Sequence, residues 1–532
     1  MSRAGLRLML IAVLYCGVEG LAQPPAAQLN PAVKKIVDDV SEERIGAIMK
    51  KLEGFGTRYV GSEKDNPAHG IGGAQNWILS EFKSYSPRLE VSLQKFTVPK
   101  SQRVPTETDL NNIVAVLPGT IDKDRYVIIS GHYDSIALRR TPNQAVRTDD
   151  AGPASPADAD PLAPGVADDG SGTAATMELA RVMSQYQFDK SIVFVTFAAE
   201  EIGLNGSRAY AAKAKDDKMQ IEAVLNNDII GSDISGNGRS ANNHLRVFSE
   251  GPDDSSSRSL ARYTKEIAER YMPSMTVDLI FRHDRFGRGG DHSSFVAQGF
   301  TAVRLTTPSE NFANQHTATD TFANASVPYT TRVARMNAAV LATLALAPKP
   351  PVVANSRPPG GGGGGARGGA RGDAAGGTGA GAAAGADTAT GRGGRAGATD
   401  TAATGGANPP AGAGRGGRGG RGPGLSRGNG YDAVMRWAMP NPEPDLAGYS
   451  ILIRDTTSPV WQKEIYVGNV TEYTIPDLSI DDIVIGVRAI DKDGNPSLVS
   501  AYEMAPTRLI DANPPQPQRP PAATGTGGGG GQ

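Results

Sequence analysis

Four short stretches of this chain, residues 113–117, 126–130, 192–197 and 223–225, are mostly continuous apolar runs. A strand that alternates polar and apolar residues can lie with one face in water, whereas a strand apolar throughout has to be covered on both faces. Such strands belong inside a sheet with helices packed on each side, so an α/β domain is expected where they occur. Helical patterns lie among them. Ser41 before Glu42 and Glu43 has the chemistry of a helix start, a capping hydroxyl followed by acidic groups at the positive end of the dipole. Ile45, Ile48, Met49 and Leu52 follow at helical spacing, and Gly54 ends the pattern. Further helices are expected through Trp77, Ile78 and Phe82, over 173–186 and, to close the domain, over 334–346. Further strands are expected at 89–98, 245–249, 277–281 and 301–305.

Beyond this region the chain changes character. Most of the excess of its 66 glycines and 37 prolines lies in one central tract. Residues 348–428, rich in Gly, Ala and Arg, cannot bury enough apolar surface to offset their chain entropy, so a disordered linker is expected there. Its Arg-Gly-Gly repeats near Arg415, Arg418 and Arg421 read as an RNA-binding tract or as a weakly basic tether, and the tether suits an exported chain better. An all-β pattern occupies 429–509: Trp437, the run from Tyr449 to Arg454, Trp461, Tyr473 and 484–490 mark strands, and Asp493-Gly494-Asn495-Pro496 marks a turn. The spacing and the two tryptophans resemble a fibronectin type III β-sandwich. Residues 510–532 are expected to form a disordered tail. At the other end, Arg3 and Arg7 precede an apolar run over 8–15, and Gly20-Leu21-Ala22 offers a cleavage site before Gln23. Residues 1–22 therefore read as a signal peptide, with a buried N-terminal helix as the alternative, and the protein as exported to the periplasm or the exterior. The one cysteine, Cys16, falls inside this segment. Tyr15 before it is a poor fit for a lipid-attachment site, and a mature chain would have neither disulfides nor cysteine–zinc sites. A net charge of −2 exerts no long-range pull on nucleic acid, which is not expected as a partner.

The apolar strands hand over to reactive side chains, and in open α/β sheets such groups gather at the carboxyl ends of strands. His132 follows the run at 126–130, with Asp134 two residues on and able to accept the other ring N–H. Glu200 and Glu201 follow 192–197; neighbouring carboxylates point in different directions, so one can bind a metal while the other serves as a general base. Asp228 lies between Leu225 and the pair Ile229-Ile230, where an ionised group is costly unless paired or metal-bound. Asp168 and Asp169 occupy a glycine-rich turn before a helix, where one can bridge metals while the other caps or supports. His316 lies in a polar loop before the last helix. Each element alone has a plainer reading: a surface histidine, an Asp-Asp-Gly turn, a solvated acidic pair. Together, two imidazoles and three carboxylates with a spare glutamate are what a two-zinc hydrolase needs, with a shared carboxylate holding ions ~3.5–4 Å apart. His69, His244, His283 and His292 have no comparable setting and read as structural or exposed.

The order His, Asp, Glu-Glu, Asp, His, with Gly203-Leu204-Asn205-Gly206-Ser207 after the glutamates and Asp291-His292-Ser293-Ser294-Phe295 before the last ligand, resembles the zinc-dependent aminopeptidases of the M28 peptidase family. The likeness covers most of the region 28–347. It implies a mixed, mainly parallel sheet between helix layers, peptide substrates and two Zn2+ ions. It further implies that Asp168 bridges the ions, that His132 and Asp228 complete one and Glu201 and His316 the other, that Glu200 is the general base, and that Asp134 supports His132 from behind. Release of N-terminal residues is the expected reaction. The alternatives are a carboxypeptidase or glutaminyl cyclase on the same fold, or a non-catalytic binding protein. A cell-surface or polysaccharide contact is expected of the sandwich. Two departures stand out. Gln315 occupies the position where some members carry a tyrosine, and the stretch 139–164 is long, either a mobile flap or a disordered insertion.

Overall fold

The computed structural model describes residues 29–101, 103–138, 162–283, 289–353, 424–427 and 432–502. The expected signal peptide, the 510–532 tail, most of the 348–428 linker and most of the 139–164 stretch lie outside them.

Eight strands form one sheet: β1 (Glu90–Val98), β2 (Thr108–Leu117), β3 (Asp122–His132), β4 (Lys190–Phe197), β5 (Gln220–Asn227), β6 (His244–Phe248), β7 (Thr276–Ile280) and β8 (Ala302–Thr306). Their order is β1-β2-β4-β3-β5-β8-β6-β7. The central four, β4-β3-β5-β8, run parallel. Toward the edges β1, β2 and β4 pair antiparallel, as do β8 and β6. The continuous apolar runs have the predicted cause. Val127, Ile129, Ile192 and Phe194 pack into one core, while Ile128, Val193, Val195 and Phe197 pack into another on the opposite face. Adjacent residues on a strand point to opposite sides, so both sides had to be apolar.

The larger core lies beneath α1 (Pro31–Asp38), α2 (Glu42–Glu53), α3 (Gly70–Tyr85), α4 (Ser171–Met183), α6 (Ser256–Tyr271) and α8 (Val327–Leu346); the smaller lies beneath α5 (Asn205–Asp216) and α7 (His292–Ala297). Ser41 caps α2 as expected, its hydroxyl accepting from the Arg44 N–H at 3.2 Å. The closing helix starts earlier than its apolar pattern, at Val327. Ser326 caps it, and its polar first turns are buried because Thr330 and Thr331 return their hydroxyls to main-chain oxygens. Helix α4 comes very close to β3: a methyl group at Gly131 would lie 2.5 Å from a Gly172 backbone atom, so neither strand nor helix start could sit as they do with a side chain there.

A second, all-antiparallel body follows. β9 (Gly424–Arg427), β10 (Ala433–Arg436) and β13 (Glu472–Ile475) make one sheet. β11 (Leu446–Asp455), β12 (Lys463–Gly468), β14 (Ile483–Asp491) and β15 (Ser500–Ala501) make the other. Trp437 and Tyr449 meet edge to face at 5.4 Å in its core, and Val353, just after the α/β domain, packs there too. Trp461 instead lies under the Arg454 guanidinium. The sandwich sits against α6. Among the described residues no helix is long and apolar enough to cross a membrane.

Candidate metal centre

The four parallel strands end side by side, and their ends carry the reactive groups. His132 is the last residue of β3 and lies opposite Phe197 at the end of β4. Glu200 and Glu201 follow β4, Asp228 follows β5, and His316 lies in the loop after β8. Asp168 reaches the same place from the kinked turn Val166–Gly170 ahead of α4. Three non-glycine residues here have left-handed backbone: Ala199 (φ 62°), Ile229 (φ 60°) and His316 (φ 53°). Such conformations cost of order 1–3 kcal/mol each and persist only where the surroundings impose them.

Asp169 is one source of that constraint. Its carboxylate accepts the main-chain N–H groups of His132 (3.1 Å), Gly172 (2.9 Å) and Ile229 (3.2 Å), tying β3, α4 and the end of β5 together. Asp134 is another, accepting the N–H of Glu200 at 3.1 Å and of Glu201 at 3.3 Å. The His132 Nδ1 lies 3.1 Å from the Asp134 main-chain oxygen and 3.5 Å from its carboxylate. A carbonyl oxygen only accepts, so Nδ1 carries the proton and Nε2 presents its lone pair to the site.

All seven residues singled out from the sequence converge. His132 Nε2 lies 3.2 Å from Asp168 Oδ1, and 3.9 Å from both Asp228 Oδ1 and Glu200 Oε2. His316 Nε2 lies 3.0 Å from Asp168 Oδ2 and 3.0 Å from Glu201 Oε2. Two triads result, His132–Asp168–Asp228 and Asp168–Glu201–His316; in each, ligand-type atoms lie within 4.8 Å of one another, and Asp168 is common to both. His132 Nε2 and Glu201 Oε1 are buried without a hydrogen-bond partner. Nitrogen and carboxylate donors converging in this way fit zinc. The His316 side chain keeps 18% of its exposure and Glu200 13%, whereas His132 keeps none, so the centre opens to solvent on the side of those two residues.

The electrostatics tell the same story. Burial and repulsion from Asp228, Glu201 and Asp291 push the Glu200 carboxyl well up, against the pull of His132. Burial would also raise Asp168, but the adjacent imidazoles of His132 and His316 hold it well below the usual carboxylate range. Burial and neighbouring acids, with His132 opposing, push Asp291 up to about 7. Carboxylates crowded around two imidazoles make a site that favours bound cations.

Sequence reasoning assigned no role in the site to four contributors. Arg304, buried in β8, pairs with Asp228 Oδ2 at 3.0 Å. An arginine inside an apolar strand demands a buried counter-charge, so the signal was there. Asp320 accepts the N–H groups of Ala167 (2.9 Å) and Asp168 (3.0 Å). Gln315 donates to Asp168 Oδ2 at 2.9 Å, so the amide at the departing position touches the shared carboxylate. Asp291 is fully buried nearby. Of the four remaining histidines, His292 is buried, His69 and His244 are half-buried and His283 is exposed.

Strand-end carboxylates and imidazoles about one shared aspartate, on a sheet of this kind, define a metal-dependent hydrolase. The model of "Peptidase family M28" matches residues 112–341. A probable zinc metalloprotease of Pyrenophora teres is 36% identical over 63% of this chain and 72% of its own length. One of Pyricularia oryzae is 31% identical over 89% and 84%. Among solved structures, the LapA aminopeptidase of Legionella pneumophila is similar at 21% identity and a TM-score of 0.45, over 62% of this chain and 78% of that one. The chain belongs to peptidase family M28 and is a zinc metallopeptidase acting on peptide substrates.

Proposed function

We propose that this protein is an exported two-zinc aminopeptidase. Asp168 is the shared ligand; His132 and Asp228 hold one ion, and Glu201 and His316 the other. The observation that carries this reading is the pair of triads with Asp168 in common. Zinc bound there lowers the pKa of a water molecule and polarises the substrate carbonyl.

The chain's own groups supply the rest. Glu200, whose main-chain N–H is fixed by Asp134, faces the centre, takes a proton from the attacking water and returns it to the departing amine. Asp134 also holds the His132 ring through its main-chain oxygen. The surplus of carboxylates favours a protonated α-amino group over a substrate carboxylate, which supports release of N-terminal residues rather than C-terminal ones. Export rests on the character of residues 1–22, and the division into a peptidase domain over 28–347 and a fibronectin type III-like sandwich over 429–509 on the two separate cores. The deciding experiment compares N-terminally free and blocked peptides of the same sequence. Cleavage of the free forms alone is expected; equal cleavage of blocked peptides would rule the aminopeptidase reading out.

A further inference from the structure

The sandwich is joined to the catalytic domain by much more than the linker. Arg488, nearly buried on β14, donates from Nη1 to both carboxylate oxygens of Glu266 on α6 at 2.9 Å, while its Nε reaches Glu464 of the sandwich at 3.0 Å. Arg454 of β11 binds Asp254. Arg262 of α6 donates to the Pro459 oxygen at 2.9 Å, Tyr263 to that of Pro496 at 2.9 Å and Ser259 to that of Val499 at 3.0 Å. Leu498 packs into the larger core of the α/β domain. Buried arginines, matched one by one with partners across the junction, mark a fixed interface rather than a passing contact.

The gripped elements lead to the metal centre. Arg262 and Arg258, both on α6, stack over the Phe281 ring at 4.8 and 5.2 Å, and Arg258 donates to the Phe281 oxygen at 3.0 Å. Asp253, beside the Asp254 that Arg454 holds, pairs with Arg258. In the same stretch Glu250 lies 3.2 Å from His283 and 3.8 Å from the buried His292. The His292 N–H donates to Asn226 on β5 at 3.2 Å. Gly290 stands so close to Asp228 that a methyl group on it would lie 2.7 Å from Asp228 Oδ2.

We propose that the β-sandwich is a permanent brace for the wall of the metal centre beside Asp228, acting through α6, and not a binding module free on its tether. Packed contacts of this kind transmit constraint because each side chain has few alternative arrangements. One face of the sandwich is thereby committed to α6.

The test uses the full chain with a site-specific protease sequence inserted between residues 361 and 421. After cutting, the two halves are expected to co-elute from gel filtration at micromolar concentration and to keep the uncut kcat/KM. In the same protein carrying Arg454→Ala and Arg488→Ala, the cut halves are expected to separate. Amide exchange over 250–254 and 281–283 should then quicken about tenfold, with kcat/KM falling by a similar factor. If the double variant does not fold, Glu266→Gln, which keeps shape and removes one charge, is read in the same way. Unmodified halves that part on cutting, variant halves that stay together, or separated halves whose exchange at those segments is unchanged would each overturn the proposal.

Discussion

Asp228 divides its carboxylate between two partners: Oδ1 faces His132 Nε2 at 3.9 Å, and Oδ2 is held by Arg304 Nε at 3.0 Å. The arginine thus fixes which oxygen is presented to the site. Replacing Arg304 by Met leaves that oxygen buried without its cation, so zinc affinity should fall about 10–100-fold, with Arg304→Lys in between. Competition with a coloured chelator measures this. Unchanged affinity in both variants would show that Arg304 plays no part in presenting Asp228.

Glu200 is the proton carrier in the proposed reaction and is not among the five proposed ligands. Glu200→Gln keeps the size of the side chain and the main-chain N–H on Asp134, but loses the basic oxygen. Turnover is expected to fall about 10²–10⁴-fold with zinc content unchanged. Metal analysis alongside steady-state rates separates the two effects, and a variant that loses its zinc would reassign Glu200 as a ligand.

How much of this could be read from sequence differs from residue to residue. The convergence of the strand-end groups was legible because strands apolar on both faces must lie inside a sheet, and the groups that follow them must then gather at one edge. Helix α1 was missed although Asn30 before Pro31 is a capping pair, and the Asn30 side chain does accept from the Ala32 and Val33 N–H groups. A capping or supporting role was legible for one aspartate of the Asp168-Asp169 pair, but the reach of Asp169 to His132 and Ile229, and that of Asp320 to Ala167 and Asp168, depend on how distant segments meet, which no residue pattern encodes. The docking of the sandwich was equally hidden. Arg488 and Glu266 are 222 positions apart, and the all-β pattern by itself says nothing of what its outer face touches.

The junction between the two bodies also gives a pH dependence. Asp189 is pushed up to about 6 by burial and then by Asp445, Glu443 and Asp491 of the sandwich, with Lys190 opposing. Its folded value lies above the unfolded value of about 3.9, so the folded state binds the proton more tightly. The group favours folding below about pH 4, and that advantage is lost as pH rises toward 6. Asp189→Asn should therefore stabilise the protein by about 1 kcal/mol near pH 7.5, after allowance for solvent screening of a half-buried group, and leave it unchanged near pH 4. Melting temperatures at the two pH values decide the matter; an equal shift at both would exclude an electrostatic cause.

The shared position of Asp168 is the centre of the account, and zinc content tests it most directly. Mass spectrometry under native conditions should find about two zinc ions per chain in the unmodified protein, and Asp168→Ala should lose both, because it removes a ligand from each triad. One ion per chain in the unmodified protein, or a variant that keeps a full complement, would contradict it.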